Sequence, residues 1–247
     1  MNIKLLSLIV PAYKQEKTIT KDLERLSKVL STLPYKYEII LVVDGFLDKT
    51  YENAKSVKNK KIRIYGYKKN KGKGFAIKYG ILKAKGDIIG FIDAGMDLDP
   101  VEIPMMINIM DWNQADIVIG SKLHPDSKVR YPFSRKILSW GYRTVTRNLF
   151  GFNVRDTQVG LKFFKKKAAK DIFKRIIVKR FAFDVEVLTV AYKLGYSKIY
   201  EAPVRLNFSG ASTISSKNFW AVVFRMLWDT AAVFYRLKIL KYYDKRN

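Results

Sequence analysis

The chain has 247 residues, 47 of them Lys or Arg against 22 Asp or Glu, for a net charge of +25 at neutral pH. That length can bury a substantial core, and 48% apolar with 14% aromatic residues excludes a disordered chain. Cysteine is absent and His124 is the single histidine, which excludes disulfides, thiolate nucleophiles, thiolate-bound metals and histidine-rich metal sites.

In chain order, Leu6–Val10 is an apolar run of strand length ended by Pro11. Thr18–Leu33 repeats Ile19, Leu23, Leu26, Val29 and Leu30 at helical spacing. Apolar runs at Glu38–Val43, Ile62–Tyr67, Ile88–Ile92 and Ile117–Ile119 predict further strands, with helices over Gly74–Lys83 and Pro100–Met110. Continuous apolar strands alternating with helices predict a buried, mostly parallel α/β sheet with helices on both faces. Ligands bind at the carboxyl ends of such strands, and Tyr13, Asp44, Asp93 and Ser121 sit there. The second half is less regular, with helices expected over Arg135–Phe150, Phe183–Leu194 and Lys217–Ile239 and a short strand at Gly160–Phe164.

The excess of positive charge suits nucleic acid, an anionic membrane surface or phosphorylated ligands, or is a solvated basic surface. No zinc finger, RNP pattern or lone basic arm favours nucleic acid. No apolar stretch reaches the ~18 residues of a membrane-spanning helix, and no cleavage site follows the short first run. The expected location is therefore cytoplasmic. In the C-terminal helix, Asn218, Arg225, Asp229 and Arg236 form a polar stripe within about 40° on an otherwise apolar wheel. With its basic end (Lys238, Lys241, Lys245, Arg246) it reads as an interfacial helix, residues 216–247 beside a main domain of 1–215, or as a helix packed on the sheet or a second copy.

Three stretches carry chemistry. Ile88–Asp93 followed by Asp97 and Asp99 places three carboxylates within seven residues at a strand end, an oxygen set that suits Mg²⁺ or Mn²⁺ bridging phosphates. Asp99 before Pro100 is explained as a helix cap, whereas an acid ending an apolar strand is costly unless paired or metal-bound. Asn70-Lys-Gly72-Lys73-Gly74 precedes a helix and reads as a phosphate-approaching loop or as a plain turn. Arg155-Asp156-Thr-Gln158-Val-Gly160-Leu-Lys162 reads as a strand presenting polar groups to a site or as a solvated loop.

The order of these motifs resembles the GT-A family 2 inverting glycosyltransferases: Ile9-Val-Pro11-Ala-Tyr13, Glu38 to Asp44-Gly, Asn70 to Gly74, Asp87 to Asp93-Ala and Gly120-Ser121-Lys122. Arg155 to Lys162, Phe183-Asp184-Val-Glu186 and Tyr200-Glu201-Ala-Pro203-Val204 are similar to the dolichyl-phosphate β-glucosyltransferase branch, close to dolichyl-phosphate mannose synthases. The resemblance covers roughly residues 5–215. It implies that Pro11, Tyr13 and Asp44 hold the nucleotide base and ribose, that Lys73 and Gly74 lie near the nucleotide, that Asp93 opens the Asp-x-Asp motif and that Asp156 is the acid near the acceptor. It implies also that Lys122 and Arg135 meet an acceptor phosphate. Gln15 stands where Glu is common, Lys122 replaces the usual Arg, and Gly95 replaces the second acid, so that Asp97, one helical turn on, is the substitute ligand. The expected activity is transfer of a hexose, glucose from UDP-glucose foremost, from a nucleotide-sugar donor to a polyprenyl or dolichyl phosphate, with Mg²⁺ or Mn²⁺, at the cytoplasmic face of an anionic membrane surface and without nucleic acid. The alternatives are GDP-mannose or UDP-N-acetylglucosamine as donor, a non-lipid acceptor, or a non-catalytic nucleotide- or nucleic-acid-binding protein.

Overall fold

The computed structural model describes residues 1–130, 133–179, 182–207 and 219–244, without the side chains of 130, 133–140, 207, 219, 220 and 222. Four parallel strands form one half of the sheet: β1 (Leu5–Ala12), β2 (Lys36–Asp44), β3 (Ile62–Tyr67) and β4 (Ile88–Ile92). The other half holds β5 (Ile117–Ser121), β7 (Leu161–Lys165) and β8 (Ile199–Pro203). The order is β3-β2-β1-β4-β7-β5-β8. All five residues of β4 are buried, which is why it reads in sequence as an unbroken apolar run.

The expected mostly parallel sheet is present, with one reversal. β7 runs antiparallel to both β4 and β5, Lys162 lying between Phe91 and Ile119. Its beginning therefore reaches the rim where its neighbours end. Between β1 and β4 the strand order changes direction, creating the crevice in which open α/β sheets bind ligands.

Helices α1 (Ile19–Leu30), α2 (Thr50–Ser56) and α4 (Ile103–Trp112) cover one face. On the other lie α3 (Lys73–Lys83), α6 (Lys166–Arg175), α7 (Phe183–Lys193) and the pair α5 (Phe133–Phe150) and α8 (Phe219–Lys238). Pro100–Glu102 is a 3₁₀ turn ahead of α4 rather than its first turn, with Asp99 capping it through Val101 N at 3.1 Å. The short strands β6 (Lys128–Arg130) and β9 (Arg205–Asn207) pair beside the main sheet. Neither these, nor α2, nor β8 had an apolar pattern long enough to predict. The Lys165–Lys167 run opens α6, whose Ala168, Ala169, Ile172 and Phe173 are buried.

Part of the positive charge is structural. Lys170 Nζ of α6 donates to the carbonyls of Ile81, Leu82 and Ala84 at 2.6, 3.0 and 2.9 Å, capping α3. Lys78 of α3 returns the arrangement, reaching the carbonyls of Lys174 and Ile176 at 3.3 and 2.7 Å at the end of α6. Each ammonium thus satisfies carbonyls that a helix end leaves without partners. Burial draws both lysines below their ordinary pKa, against the pull of Glu186 on Lys78 and, with the help of Lys166, against that of Glu38 on Lys170.

The C-terminal helix packs on the domain through one side and leaves another exposed. Its Thr230 Oγ1 lies 2.8 Å from the Tyr142 hydroxyl, and Val233 is fully buried. Below it, Glu186 of α7 accepts from Ile177 N, Val178 N and the Tyr243 hydroxyl, at 2.9, 2.7 and 2.5 Å. Arg236, from the expected polar stripe, faces that same carboxylate at 3.8 Å. The opposite side exposes Phe224 and Trp228, each 68% accessible, with Tyr235, Ile239 and Leu240 beyond. Asn218, Lys245 and Arg246, and the 215/216 boundary, lie outside the described residues.

Replacing Lys170 by Met keeps the aliphatic stem and removes the cap. We expect a loss of about 1 kcal/mol, read as a lower urea midpoint at unchanged slope.

Candidate active site

The rim begins with a loop tied to a carboxylate. Asp44, 3% exposed at the end of β2, accepts from Lys71 N at 2.7 Å, Gly72 N at 2.9 Å and Asn70 Nδ2 at 2.8 Å. Three donors on one carboxylate hold the Asn70–Gly72 loop against the sheet edge, and Gly72, at φ +98°, turns the chain into α3. Asp44 thereby shapes the loop that delivers Lys73, a role beside the nucleotide contact expected for it. Gly74 serves packing: its N–H donates to Lys179 O at 2.9 Å, and a Cβ would stand 2.7 Å from the Phe183 ring.

Lys73 Nζ comes within 2.8 Å of the Asp93 carboxylate. Burial opposes the ammonium, yet the charges of Asp93 and then Asp184 hold its pKa above the ordinary lysine value. Asp93 follows the last residue of β4 and is fixed by its own N–H to Gly160 O at 3.0 Å. Gly160 has no room for a side chain, since a Cβ there would lie 1.9 Å from Asp93 Oδ2. Both carboxylate oxygens face the lysine, Oδ2 accepting its hydrogen bond and Oδ1 lying 2.8 Å from Nζ within the ion pair. A carboxylate at the rim with its side chain 40% exposed suits a hard divalent ion such as Mg²⁺, which binds one or two carboxylates and completes its shell with phosphate oxygens and water. Among the described residues no cluster of three or more His, Cys, Asp or Glu forms a cage made by the protein alone.

The path onward from Asp93 corrects one expectation. Residues 94–97 form a turn and bend, not a helical turn, with Gly95 at φ +88° and Met96 at φ +52°. Asp22 Oδ2 of α1 accepts from Gly95 N at 2.9 Å, and burial raises the Asp22 pKa. Asp97 sits in the bend, and the premise that helical spacing returns it to Asp93 fails. Gln15, in the loop after β1, approaches Gly95, with its Oε1 accepting from the Thr18 hydroxyl at 2.9 Å. Pro11 is buried within β1, and Tyr13 is partly exposed just past its end.

Across the rim, Asp156 is 2% exposed. Its Oδ2 accepts from Lys122 N at 3.0 Å and its Oδ1 from Gln158 N at 3.2 Å, with Lys122 Nζ 3.6 Å away. Glu201 of β8 clamps the same loop, accepting from Arg155 N and Asp156 N, both at 3.0 Å. The backbone of Arg135 lies in α5, but its side chain, like that of Arg130, is outside the described residues.

Two residues of the quoted motifs, Lys162 and Asp184, form a pair that the sequence analysis did not foresee. Lys162 lies in strand β7 rather than in a solvated loop, and its side chain is turned into the interior. It is fully buried, donating to Asp184 Oδ1 at 2.5 Å and Val159 O at 2.6 Å. Burial lowers its pKa, against the pull of Asp184. The signal was present: one lysine inside Leu161-Lys-Phe-Phe and one aspartate opening an apolar helix must each find a counter-charge. Carboxylates and ammoniums therefore alternate along the rim, in the pairs Asp93 with Lys73, Asp184 with Lys162 and Asp156 with Lys122.

Comparison with known proteins bears on this arrangement. The sequence profile described as "Glycosyl transferase family 2" matches residues 7–173. The dolichyl-phosphate beta-glucosyltransferase of Dictyostelium discoideum is 34% identical over 204 residues, which cover 76% of this chain and 62% of that protein. The chain thus spans less than two thirds of that relative's length. A dolichyl-phosphate beta-glucosyltransferase of Trichomonas vaginalis is 34% identical over 258 residues, covering 98% of this chain and 77% of its own. The structure of glucosyl-3-phosphoglycerate synthase from Mycobacterium tuberculosis, in complex with Mn²⁺, uridine diphosphate and phosphoglyceric acid, superposes with a TM-score of 0.71 over 94% of this chain and 78% of its own. At 16% identity this likeness shows the fold alone. The matched residues run from within β1 through β7 and take in Asp44, Asp93 and Asp156, and the chain belongs to glycosyl transferase family 2.

Proposed function

We propose that the protein is an inverting glycosyltransferase that moves a hexose, glucose from UDP-glucose, onto dolichyl or another polyprenyl phosphate. The observation that carries this reading is Asp93, a partly exposed carboxylate at the switch point of the sheet, paired with Lys73 and leaving no room for a side chain at Gly160. The relatives named for dolichyl-phosphate glucosylation support the choice of sugar and acceptor.

Breaking the donor's glycosidic bond releases a nucleoside diphosphate. Asp93 would hold a divalent ion, Mg²⁺ or Mn²⁺, with Asp97 as the further candidate ligand; such an ion, when bound, neutralises the departing diphosphate. Pro11, Tyr13, Gln15 and the Asp44 loop bind the nucleotide, and Lys73 adds positive charge on the leaving-group side. The acceptor phosphate, with a second pKa of about 6, is already anionic at neutral pH and attacks without a strong general base. What it needs is cations to overcome repulsion between anions. Lys122 and Arg135 meet it, and Asp156, bonded to Lys122 N and Gln158 N, positions Lys122 rather than taking a proton. A single displacement inverts the anomeric centre.

No helix among the described residues is long and apolar enough to cross a membrane. We propose that the exposed aromatic face of α8, with Lys238 and Lys241 at its end, rests on the cytoplasmic side of an anionic membrane, where the lipid acceptor resides.

The direct test offers UDP-glucose, UDP-N-acetylglucosamine and GDP-mannose separately, with dolichyl phosphate in detergent and either metal. Product from UDP-glucose, lost with EDTA, is the expected result; donor hydrolysis without lipid product would remove the lipid acceptor. Asp93→Ala should lower transfer at least ~100-fold, and near-normal turnover would refute the assignment. Gly160→Ala, by displacing the Asp93 carboxylate, should cut kcat about 100-fold while UDP binding changes little. Phe224→Ser with Trp228→Ser should weaken co-sedimentation with anionic vesicles at least ~10-fold, leaving hydrolysis of the donor unchanged.

A further inference from the structure

Two charged side chains of α1 reach the segment that follows β4. Asp22 and Arg25 stand three residues apart, and so on one side of the helix. Asp22 is 6% exposed, and its Oδ2 accepts from Gly95 N at 2.9 Å. The Thr18 hydroxyl, one turn earlier, lies 3.1 Å from the same oxygen. Arg25 Nη2 donates to Asp99 Oδ1 at 2.9 Å. The ends of the segment are tied to other elements as well: Asp93 N donates to Gly160 O at 3.0 Å and Asp99 N to Arg205 O at 3.1 Å. Between these ties Gly95 and Met96 both take the left-handed region, at φ +88° and +52°. A methionine is seldom found there, and such a backbone persists only where its surroundings hold it.

We propose that Asp22 and Arg25 are positioning residues, a clamp that holds Asp93 and Asp97 in the arrangement a divalent ion requires. Asp93 comes two residues before the tie at Gly95, and Asp97 two residues before the tie at Asp99. Helical spacing does not return Asp97 to Asp93, so the shape of the turn alone sets how the two carboxylates stand to each other. A hard ion such as Mg²⁺ tolerates little departure from its octahedral shell. Groups that orient its ligands without touching it therefore set its affinity. The two jaws differ in chemistry as their targets do: a carboxylate meets a backbone N–H, and a guanidinium meets a carboxylate. The inference rests on the metal reading proposed above and adds to it the helix that holds the ligands in place.

Mn²⁺ titrated into the full chain with saturating UDP, the free ion being read by its EPR signal, gives the affinity without turnover. Asp22→Ala should weaken Mn²⁺ binding about 10-fold and Arg25→Met about 3-fold, while UDP binding without metal stays that of the wild type. Two comparisons separate position from charge. Asp22→Asn removes the charge but keeps an oxygen for Gly95 N, and should retain the wild-type Mn²⁺ affinity. Arg25→Met removes a positive charge, which alone would strengthen cation binding, so weakening there reports on position. Glu24→Ala takes a charge from the exposed side of the same helix and should change nothing. Unchanged affinity in Asp22→Ala, an equal loss in Asp22→Asn or Glu24→Ala, or unchanged or tighter binding in Arg25→Met would overturn the clamp. The Arg25 side chain is 46% exposed, so Arg25→Met leaves the core untouched and decides the matter if Asp22→Ala does not fold. Asp93→Ala, run alongside, keeps the clamp apart from the reading beneath it. Loss of Mn²⁺ there without loss in the clamp variants leaves the metal site and removes the clamp, and a wild-type chain that binds no Mn²⁺ removes both.

Discussion

Charge alternation along the rim is the constraint on which the rest of the structure depends. Four carboxylates, Asp44, Asp93, Asp156 and Asp184, stand at or beside one rim of a largely apolar sheet, and three of them are almost fully buried. Mutual repulsion in such a setting is strong, and desolvation adds several kcal/mol per ion. The protein answers with donors matched to each. Asp44 has backbone N–H groups, Asp93 has Lys73, Asp184 has Lys162 and Asp156 has Lys122 together with its N–H. Lys162 is central because it is fully buried and its strand is hydrogen-bonded on both sides. A one-residue slip of β7 would turn Lys162 to the opposite face and bring a phenylalanine into its place.

This gives the basic composition a physical reading. The net charge of +25 is not one patch with one purpose. Lys78 and Lys170 close helix ends, Lys73, Lys122 and Lys162 hold carboxylates, Lys71 lies over the Phe75 ring at 4.5 Å, and runs such as Lys58–Lys61 are largely solvated.

What was legible in the sequence follows from burial. β1, β2, β4 and β5 are covered on both faces, so they appear as apolar runs with a polar residue where each meets the rim. Asp93 and Lys73 could be read as neighbours of one site because their strand and loop end at the same edge. The helix at Thr50–Ser56 was not legible, since it buries only Thr50 and Ala54 and shows no stripe. Nor was the direction of β7, because hydropathy carries no sign for parallel against antiparallel. The turn after Asp93 misled for a related reason: two successive residues with positive φ break the helical spacing from which a second ligand was inferred. The C-terminal helix was ambiguous in sequence because it has two apolar faces, one packed on Tyr142 and Tyr243 and one open.

The place of β7 also sets the order in which the molecule can assemble. β4 and β5 flank it and meet only through it, and β8 pairs with β5 alone. During synthesis the first four strands can pair as soon as they emerge, whereas β5 has no partner in the sheet until residue 165 has left the ribosome. Until then its apolar edge stands open, the condition under which a nascent chain is prone to association. Closing that gap joins the two halves of the sheet in one event, and the same event brings Asp156 and Gly160 to the rim. Joining the two halves of the sheet and bringing Gly160 against Asp93 are thus one step.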